Sequence, residues 1–145
     1  MRVAVGLDVG TLTLGVAVSD GLGMLAHPVA TLERKGVRKD CAALQALLKD
    51  RGVVHIIVGL PLELDGREER SARLARQVGE AFGALTGLPV SYVDERFSSV
   101  QAERRLIAAG VSRQRRKAVI DQEAAVVILQ SWLDEGGRAR LMEVG

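Results

Sequence analysis

Apolar residues recur near the start of the chain in two short runs separated by a polar turn. Residues 2–9 (RVAVGLDV) and 14–19 (LGVAVS) are rich in β-branched residues, and a turn that begins with glycine joins them. This pattern predicts a hairpin of two buried strands. Residues 29–33 follow a segment that contains glycine and proline, and they predict a third antiparallel strand.

Helical and strand-like segments alternate over the rest of the chain. The near-continuous apolar run at 53–60 is typical of a parallel strand that is covered on both faces. In chain order, the spacing of apolar residues predicts a helix over 38–50, the strand at 53–60, a helix over 68–86, a strand over 89–94, a short helix from Ser98 to Gly110 and a final helix over about 114–135. We therefore predict an α/β fold with a mixed five-stranded sheet, three antiparallel strands and then parallel strands, with helices on both faces.

Length and composition exclude several classes of protein. A chain of 145 residues fits one domain, which we expect over 1–135, followed by a loose C-terminal tail over 136–145. The single cysteine excludes an internal disulfide and a cysteine-based zinc site. Two Phe, one Tyr and one Trp are too few for a base-stacking platform. Because the chain has no apolar run of about 20 residues and no signal-peptide pattern, we expect a soluble, cytoplasmic protein.

Three carboxylate positions are unusual for their surroundings. Asp8 ends the first strand just before a glycine turn, and Asp94 and Glu95 end the strand at 89–94. Because side chains alternate along a strand, only one of Asp94 and Glu95 can point the same way as Asp8. Asp121 lies on the apolar stripe of the last helix, where charged groups are rare unless they are paired or bound to metal.

Each of these acids also has a purely structural interpretation. Asp8 could cap its turn, and the acids that end the later strand could form a local ion pair with Arg96. Asp121 could pair with Lys117, one helical turn earlier. Three acids from two strand ends and one helix together favour a divalent-cation site, since crowded like charges need a counter-charge. Hard oxygen ligands favour Mg²⁺ or Mn²⁺.

A basic stretch that contains no acidic residue precedes Asp121. It comprises Arg104, Arg105, Arg113, Arg115, Arg116 and Lys117. The stretch could be an ordinary solvated helix start, although cations at a helix N-terminus oppose the helix dipole. Beside an acidic metal site, such cations favour a phosphodiester substrate, whose backbone they would contact. The net charge of +2 then reflects two opposing clusters of charge.

Four segments of the chain resemble the YqgF/RuvX family of Holliday junction resolvases and pre-16S rRNA nucleases. They are GLDVGTLTLGVAVSD at 6–20, VGLPLELDG at 58–66, LPVSYVDERFSSVQAERRLIAAG at 88–110 and RRKAVIDQEAAVVILQSWLD at 115–134. The resemblance covers nearly the whole chain. It implies a ribonuclease-H-like fold and a metal-dependent site that hydrolyses phosphodiesters.

The resemblance also implies roles for single residues. Carried over by position, it makes Asp8, Glu95 and Asp121 the catalytic residues and the ligands of Mg²⁺ or Mn²⁺, with Asp94 as the alternative to Glu95. We expect nucleic acid to be contacted by the cations Arg96, Arg104, Arg113, Arg115, Arg116 and Lys117. The chain departs from the family pattern at Leu12-Thr13, where a basic pair is usual, and at Glu63, where an asparagine is usual.

The function expected from the sequence is a metal-dependent endonuclease acting on structured nucleic acid. It would process the 5′ end of pre-16S rRNA, resolve Holliday junctions, or do both, and a homodimer would supply the two active sites that a symmetric junction needs. One alternative is a catalytically silent nucleic-acid-binding or ribosome-assembly factor. Another is an ATPase, since Asp8-Val9-Gly10-Thr11 is similar to the phosphate-binding hairpin of actin- and sugar-kinase-like proteins; 145 residues, however, supply only one of the two lobes that such proteins need.

Overall fold

The structure is a computed structural model that describes residues 2–61, 69–95 and 104–143; of residues 116–121 it describes the backbone alone. The strands are β1 (Val3–Val9), β2 (Thr13–Ser19), β3 (Ala26–Glu33), β4 (Val53–Leu60) and β5 (Val90–Asp94). The helices are α1 (Val37–Leu48), α2 (Arg70–Thr86), α3 (Arg113–Trp132) and α4 (Arg138–Met142), with a π-helical turn, Leu133–Gly137, between α3 and α4. Residues 104–108 are also helical.

The five strands form one mixed sheet in the order β3-β2-β1-β4-β5. Strands β1, β2 and β3 pair antiparallel, whereas β4 pairs parallel to β1 and β5 pairs parallel to β4. The predicted sheet, with three antiparallel strands followed by parallel ones, is therefore confirmed. Strand β3 begins at Ala26, earlier than the predicted residue 29, because the pairing with β2 continues past a bulge at Val29 until Ala26 pairs with Ser19.

Strand alternation divides the interior into two cores, one on each face of the sheet. On the first face, Leu7, Val16 and Val58 pack with residues of α1 and α2 such as Leu44 and Phe82. On the second face, smaller strand residues pack against α3 and α4; this core contains Ala4, Ala17, Ala26, Ile57, Ala125, Val126, Ile128, Leu129, Trp132, Leu133 and Leu141. Helices therefore cover both faces of the sheet, as predicted.

Helix α3 lies unusually close to the sheet because glycines lie under it. A Cβ atom added to Gly6 of β1 would lie 2.7 Å from Leu129 Cβ and 3.0 Å from the carbonyl oxygen of Ala125. Helix α3 runs antiparallel to β4, since Trp132 contacts His55 near the start of β4 and Ile128 contacts Gly59 near its end. The first half of α3 thus extends towards the carboxyl ends of β1 and β4.

The end of the described chain is ordered on the second face, whereas the sequence predicted a loose tail from Gly136. Leu141 of α4 is only 1% exposed, and Arg2 Nε donates a hydrogen bond to its carbonyl oxygen at 2.9 Å. The sequence predicts that the last helix ends just before Gly136, but the backbone only turns there, at a φ of 109°, and then resumes a helical path. Within residues 138–142 the expected loose tail is therefore wrong.

None of the helices that the structure describes is both long enough and apolar enough to cross a membrane.

Candidate nuclease site

Carboxylates meet at the edge of the sheet where the parallel strands β1, β4 and β5 end. Asp8 is the last residue but one of β1. Glu95 directly follows β5, and its N–H donates to the carbonyl oxygen of Leu60 at 3.1 Å, which extends the pairing of β5 with β4 by one residue. The carboxyl edge of parallel strands is where α/β proteins usually bind ligands.

Asp8 belongs to the face of the sheet that α3 covers. Its neighbours Leu7 and Val9 both pack in the core on the opposite face. Because strand side chains alternate, Asp8 shares its face with Gly6, which lies directly under α3. The Asp8 side chain is partly exposed, so it lies at the rim of the second core and can be reached from solvent.

Glu95 points to the same face and lies over the neighbouring strand. A Cβ added to Gly59 would lie 2.8 Å from Glu95 Cδ and 2.9 Å from its Oε2, so the carboxylate occupies the space above this glycine. Leu7 pairs with Val58, and the next residues in register are Asp8 and Gly59. Since neighbouring strands are about 4.8 Å apart, the carboxylates of Asp8 and Glu95 are brought together on one face of the sheet.

Asp94 occupies a different environment from Glu95. Its neighbour Val93 packs against the second core, so alternation directs Asp94 to the other face, and its side chain is exposed at the edge of the sheet. Because β5 is the edge strand, Asp94 also borders an open groove of about 640 Å³, which is lined from the second face by Trp132 and Arg140. Of the two acids at this strand end, Glu95 is therefore the one that shares a face with Asp8.

The side chain of Asp121, the third predicted acid, lies outside the described part of the chain. The backbone at this position belongs to α3, one turn before Ala125, whose carbonyl oxygen lies close to Gly6. Because α3 runs antiparallel to β1, a step of one helical turn towards the start of α3 follows β1 from Gly6 towards Asp8. Among the side chains that are described, no three His, Cys, Asp or Glu residues lie close enough to hold a metal ion together.

Four of the predicted basic residues have described side chains, and all four come before Asp121 in the chain and lie on the surface. Arg104, Arg113 and Arg115 are exposed, and Arg105 Nε lies 3.4 Å from Glu123 Oε2, which partly neutralises it. Ser112 caps the start of α3, its hydroxyl accepting a hydrogen bond from the N–H of Arg115 at 3.4 Å. The predictions at Arg96 and Glu63, and at the side chains of Arg116 and Lys117, fall outside the described residues.

Two other reactive side chains, His55 and Cys41, are buried core residues. His55 is 7% exposed, its ring centroid lies 4.7 Å from that of Trp132, and its Nε2 is 2.9 Å from Ser91 Oγ. Burial, aided by the positive charge of Arg140, lowers the pKa of His55, and burial raises the pKa of the Cys41 thiol. His55 lies near the start of β4, at the opposite end of the sheet from Asp8.

Two structural features of this site escaped the sequence reasoning. One is Gly59, which leaves room for the Glu95 carboxylate. The other is a buried ion pair between Arg34 and Asp40 behind the β1–β2 turn, with an Nε–Oδ2 distance of 2.6 Å. An acid in the first turn of a predicted helix, shortly after an arginine, was the available signal for this pair.

Comparison with known proteins places the chain in a family. The family model RuvX, described as Holliday junction resolvase, matches residues 2–135. The chain belongs to the RuvX family. Two relatives carry the name "Putative pre-16S rRNA nuclease": one from Myxococcus xanthus is 47% identical over 89% of this chain and 85% of its own length. The other, from Moorella thermoacetica, is 45% identical over 95% of this chain and 98% of its own length.

Solved structures establish the fold. RuvC from Thermus thermophilus superposes with a TM-score of 0.57 at 18% identity, over 96% of this chain and 97% of that one. The same protein in complex with a Holliday junction substrate gives a TM-score of 0.56 at 19% identity, over 95% and 98% of the two chains. The RuvX chain accordingly has the ribonuclease-H-like fold that the resemblance implied.

Proposed function

We propose that this RuvX chain is a metal-dependent endonuclease that hydrolyses phosphodiester bonds of structured nucleic acid. The observation that carries the proposal is the placement of the Asp8 and Glu95 carboxylates on one face of the sheet, at the edge where β1, β4 and β5 end. Family membership supports the same reaction. We assign the activity to residues 1–135 and to the cytoplasm, where ribosomal RNA precursors are made.

The donor set fits a hard divalent cation. Asp8 and Glu95 offer carboxylate oxygens only, and two like charges on one face of the sheet, Asp8 on β1 and Glu95 over Gly59 of the neighbouring β4, are stabilised by a shared counter-ion. We assign Asp121 as the third ligand, because its position on α3 lies one turn from Ala125, in the direction of Asp8. Mg²⁺ or Mn²⁺ held by these residues would activate a water molecule and offset the charge that develops on the leaving oxygen.

The chain's own residues would orient the substrate. The arginines at the start of α3 lie beyond the acidic edge, on an exposed surface that can contact several phosphates of one strand. Such contacts fix the position of the nucleic acid without reading its sequence. The acidic edge would then receive the scissile phosphate, while the half-buried position of Asp8 limits its freedom to turn away.

The names of the relatives favour a precursor of 16S rRNA as the substrate of this chain. Proteins named "Putative pre-16S rRNA nuclease" are 44–47% identical to this chain over the aligned residues, whereas the RuvC structures are 18–19% identical and support the fold alone. Resolution of a Holliday junction would need two active sites in one assembly. A homodimer is therefore expected only if the junction is a substrate.

The test is Mn²⁺-dependent cleavage of two substrates, a structured RNA that spans the 5′ end of 16S rRNA and a four-way DNA junction. We expect the wild type to cleave at least one of them, and Asp8→Asn and Asp121→Asn to lose cleavage while circular dichroism shows an unchanged fold. A wild type that binds either substrate without metal and never cleaves it would instead identify a silent binding factor. A fully active Asp121→Asn protein would remove that residue from the site.

A further inference from the structure

A buried ion pair links the β1–β2 turn to the start of α1. Arg34 follows β3, and its Nε donates to Asp40 Oδ2 at 2.6 Å. The other Asp40 oxygen, Oδ1, accepts the N–H of Lys35 at 2.8 Å. The side chains of Arg34 and Asp40 are 9% and 3% exposed, so the pair is held inside the protein rather than on its surface.

The same arginine holds the backbone of the turn that follows Asp8. Arg34 Nη1 donates to the carbonyl oxygen of Gly10 at 2.6 Å, and the N–H of Arg34 donates to the carbonyl oxygen of Leu12 at 2.8 Å. Within the turn, the N–H of Gly10 donates to the carbonyl oxygen of Thr13 at 2.9 Å. Two successive contacts from one residue therefore restrain a turn whose tip is otherwise exposed, with Leu12 78% exposed.

A buried ion pair needs an explanation beyond stability. Removing two charges from water costs about as much as their attraction returns, so apolar residues of the same shape often serve as well. A guanidinium group, however, presents its donors in a rigid, planar fork. With Nε fixed on Asp40, Nη1 is directed at Gly10, and a flexible ammonium group would not impose this direction.

We propose that Arg34 and Asp40 are positioning residues, which fix the β1–β2 turn and thereby hold the Asp8 carboxylate in the geometry that binds the cation. The inference rests on the proposed metal-dependent function and assigns it a support that lies outside the acidic edge. Asp8 is two residues before Gly10, and it pairs with Gly15 across the hairpin, so a displaced turn rotates the end of β1. Residues that orient a metal ligand typically contribute about 10–100-fold to metal affinity or activity.

The experiment compares variants that keep the fold but release the turn. Arg34→Met combined with Asp40→Leu removes both buried charges and keeps their bulk, and Arg34→Lys keeps the charge but loses the fork. Ser19→Ala is the matched control, because it removes another buried hydrogen bond to β1, from the N–H of Ala4 to Ser19 Oγ at 2.9 Å, at the end away from Asp8. Asp8→Asn marks the complete loss of the site.

Three quantities are measured for each variant: Mn²⁺ affinity from the electron paramagnetic resonance signal of the free ion, amide hydrogen exchange in the β1–β2 turn, and urea unfolding. We expect both Arg34 variants to lose about 10–100-fold in Mn²⁺ affinity and to exchange faster at Gly10, while Ser19→Ala binds Mn²⁺ like the wild type. Mn²⁺ affinity within twofold of wild type in a folded Arg34→Lys protein would overturn the positioning role.

The two proposals fail in different ways. If the wild type itself shows no Mn²⁺ binding that depends on Asp8, the metal-dependent function and the positioning role both fail. If the wild type binds Mn²⁺ and cleaves, but the Arg34 variants match it, only the positioning role fails. Loss of Mn²⁺ affinity in Ser19→Ala to the same extent would show a general effect of destabilising β1, and would likewise overturn the specific role of Arg34.

Discussion

Gly59 offers a direct test of the position assigned to the Glu95 carboxylate. In Gly59→Ala, the added Cβ would lie 2.8 Å from Glu95 Cδ and 2.9 Å from Oε2, and it would also overlap with Ile128 Cδ1 of α3. Real Cβ atoms do not lie this close to other heavy atoms, so either the carboxylate or α3 must move. The substitution thus acts on the site without altering any acidic residue.

The expected cost to stability is moderate. Overfilling a packed interior costs about 1–3 kcal/mol, and replacing a strand glycine by alanine returns about 0.5–1 kcal/mol through reduced backbone freedom. We therefore expect the free energy of unfolding to fall by about 1–2 kcal/mol, which leaves the protein folded. Displacing a carboxylate by about 1 Å can cost about 100-fold in rate, so activity should fall far more than stability.

A second substitution separates the two overlaps. Ile128→Val removes the Cδ1 atom that the new methyl group would meet, so the double variant Gly59→Ala/Ile128→Val should regain stability while the overlap with Glu95 persists. We measure urea unfolding and Mn²⁺-dependent cleavage for the wild type, both single variants and the double variant. The expected pattern is a double variant that is about as stable as Ile128→Val alone and still impaired in cleavage by about 100-fold.

Gly79→Ala is the matched control on the opposite face. Its Cβ would lie 2.7 Å from Tyr92 Oη, so the change crowds the interior between α2 and the sheet but leaves Glu95 undisturbed. We expect cleavage by this variant to match the wild type. If Gly59→Ala cleaves at the wild-type rate, or if the double variant recovers cleavage together with stability, the Glu95 carboxylate is not held over Gly59 for catalysis.

Four further predictions test other parts of the molecule. Glu95→Gln should abolish cleavage and Asp94→Asn should preserve it, and the reverse result in the same cleavage assay would exchange their roles. Arg115→Glu should weaken nucleic-acid binding and reduce the slope of log affinity against log salt by about 1 for the lost phosphate contact, as measured by fluorescence anisotropy. Burial lowers the pKa of His55 from 6.5, so the unfolded chain binds more protons and the free energy of unfolding should decrease as pH falls below about 6.5; His55→Gln should flatten this dependence in urea titrations. Leu141→Ala should cost about 2–5 kcal/mol of stability, whereas a loose tail would make it neutral in the same titrations.

Local pattern was sufficient to predict the sheet. β-branched alternation in β1 and β2, the continuous apolar run of β4 and the glycine that ends α2 are all short-range signals, and the five predicted strands and the helices α1, α2 and α3 lie within a few residues of their predictions. The start of the helix predicted from Ser98 falls outside the described residues. The end of the chain was misjudged because two adjacent glycines, Gly136 and Gly137, usually mark a helix end. Only the packing of Leu141 against a distant part of the chain shows that the helical path resumes.

The site was predictable only as a set of candidate acids. Sequence order places Asp8 and Glu95 at strand ends, but the register of β1, β4 and β5 decides that Glu95, rather than Asp94, lies on the face of Asp8. For the pairing of Arg34 with Asp40, the sequence offers only the closeness of an arginine to an acid in the first turn of a predicted helix, which does not determine the contact. It depends on where β3 ends relative to the β1–β2 turn, which is a property of tertiary packing and leaves no periodic signal.

The two glycines on the α3 face explain how an acidic site can form in so small a core. Gly6 lets the α3 backbone approach β1 closely, and Gly59 leaves space for the Glu95 carboxylate. A larger residue at either position would separate the elements that carry the acids, and the acids would then be solvated singly instead of sharing a cation. In the proposed site, the small side chains of this face would bring the acids close together, and that closeness would give a divalent cation its affinity.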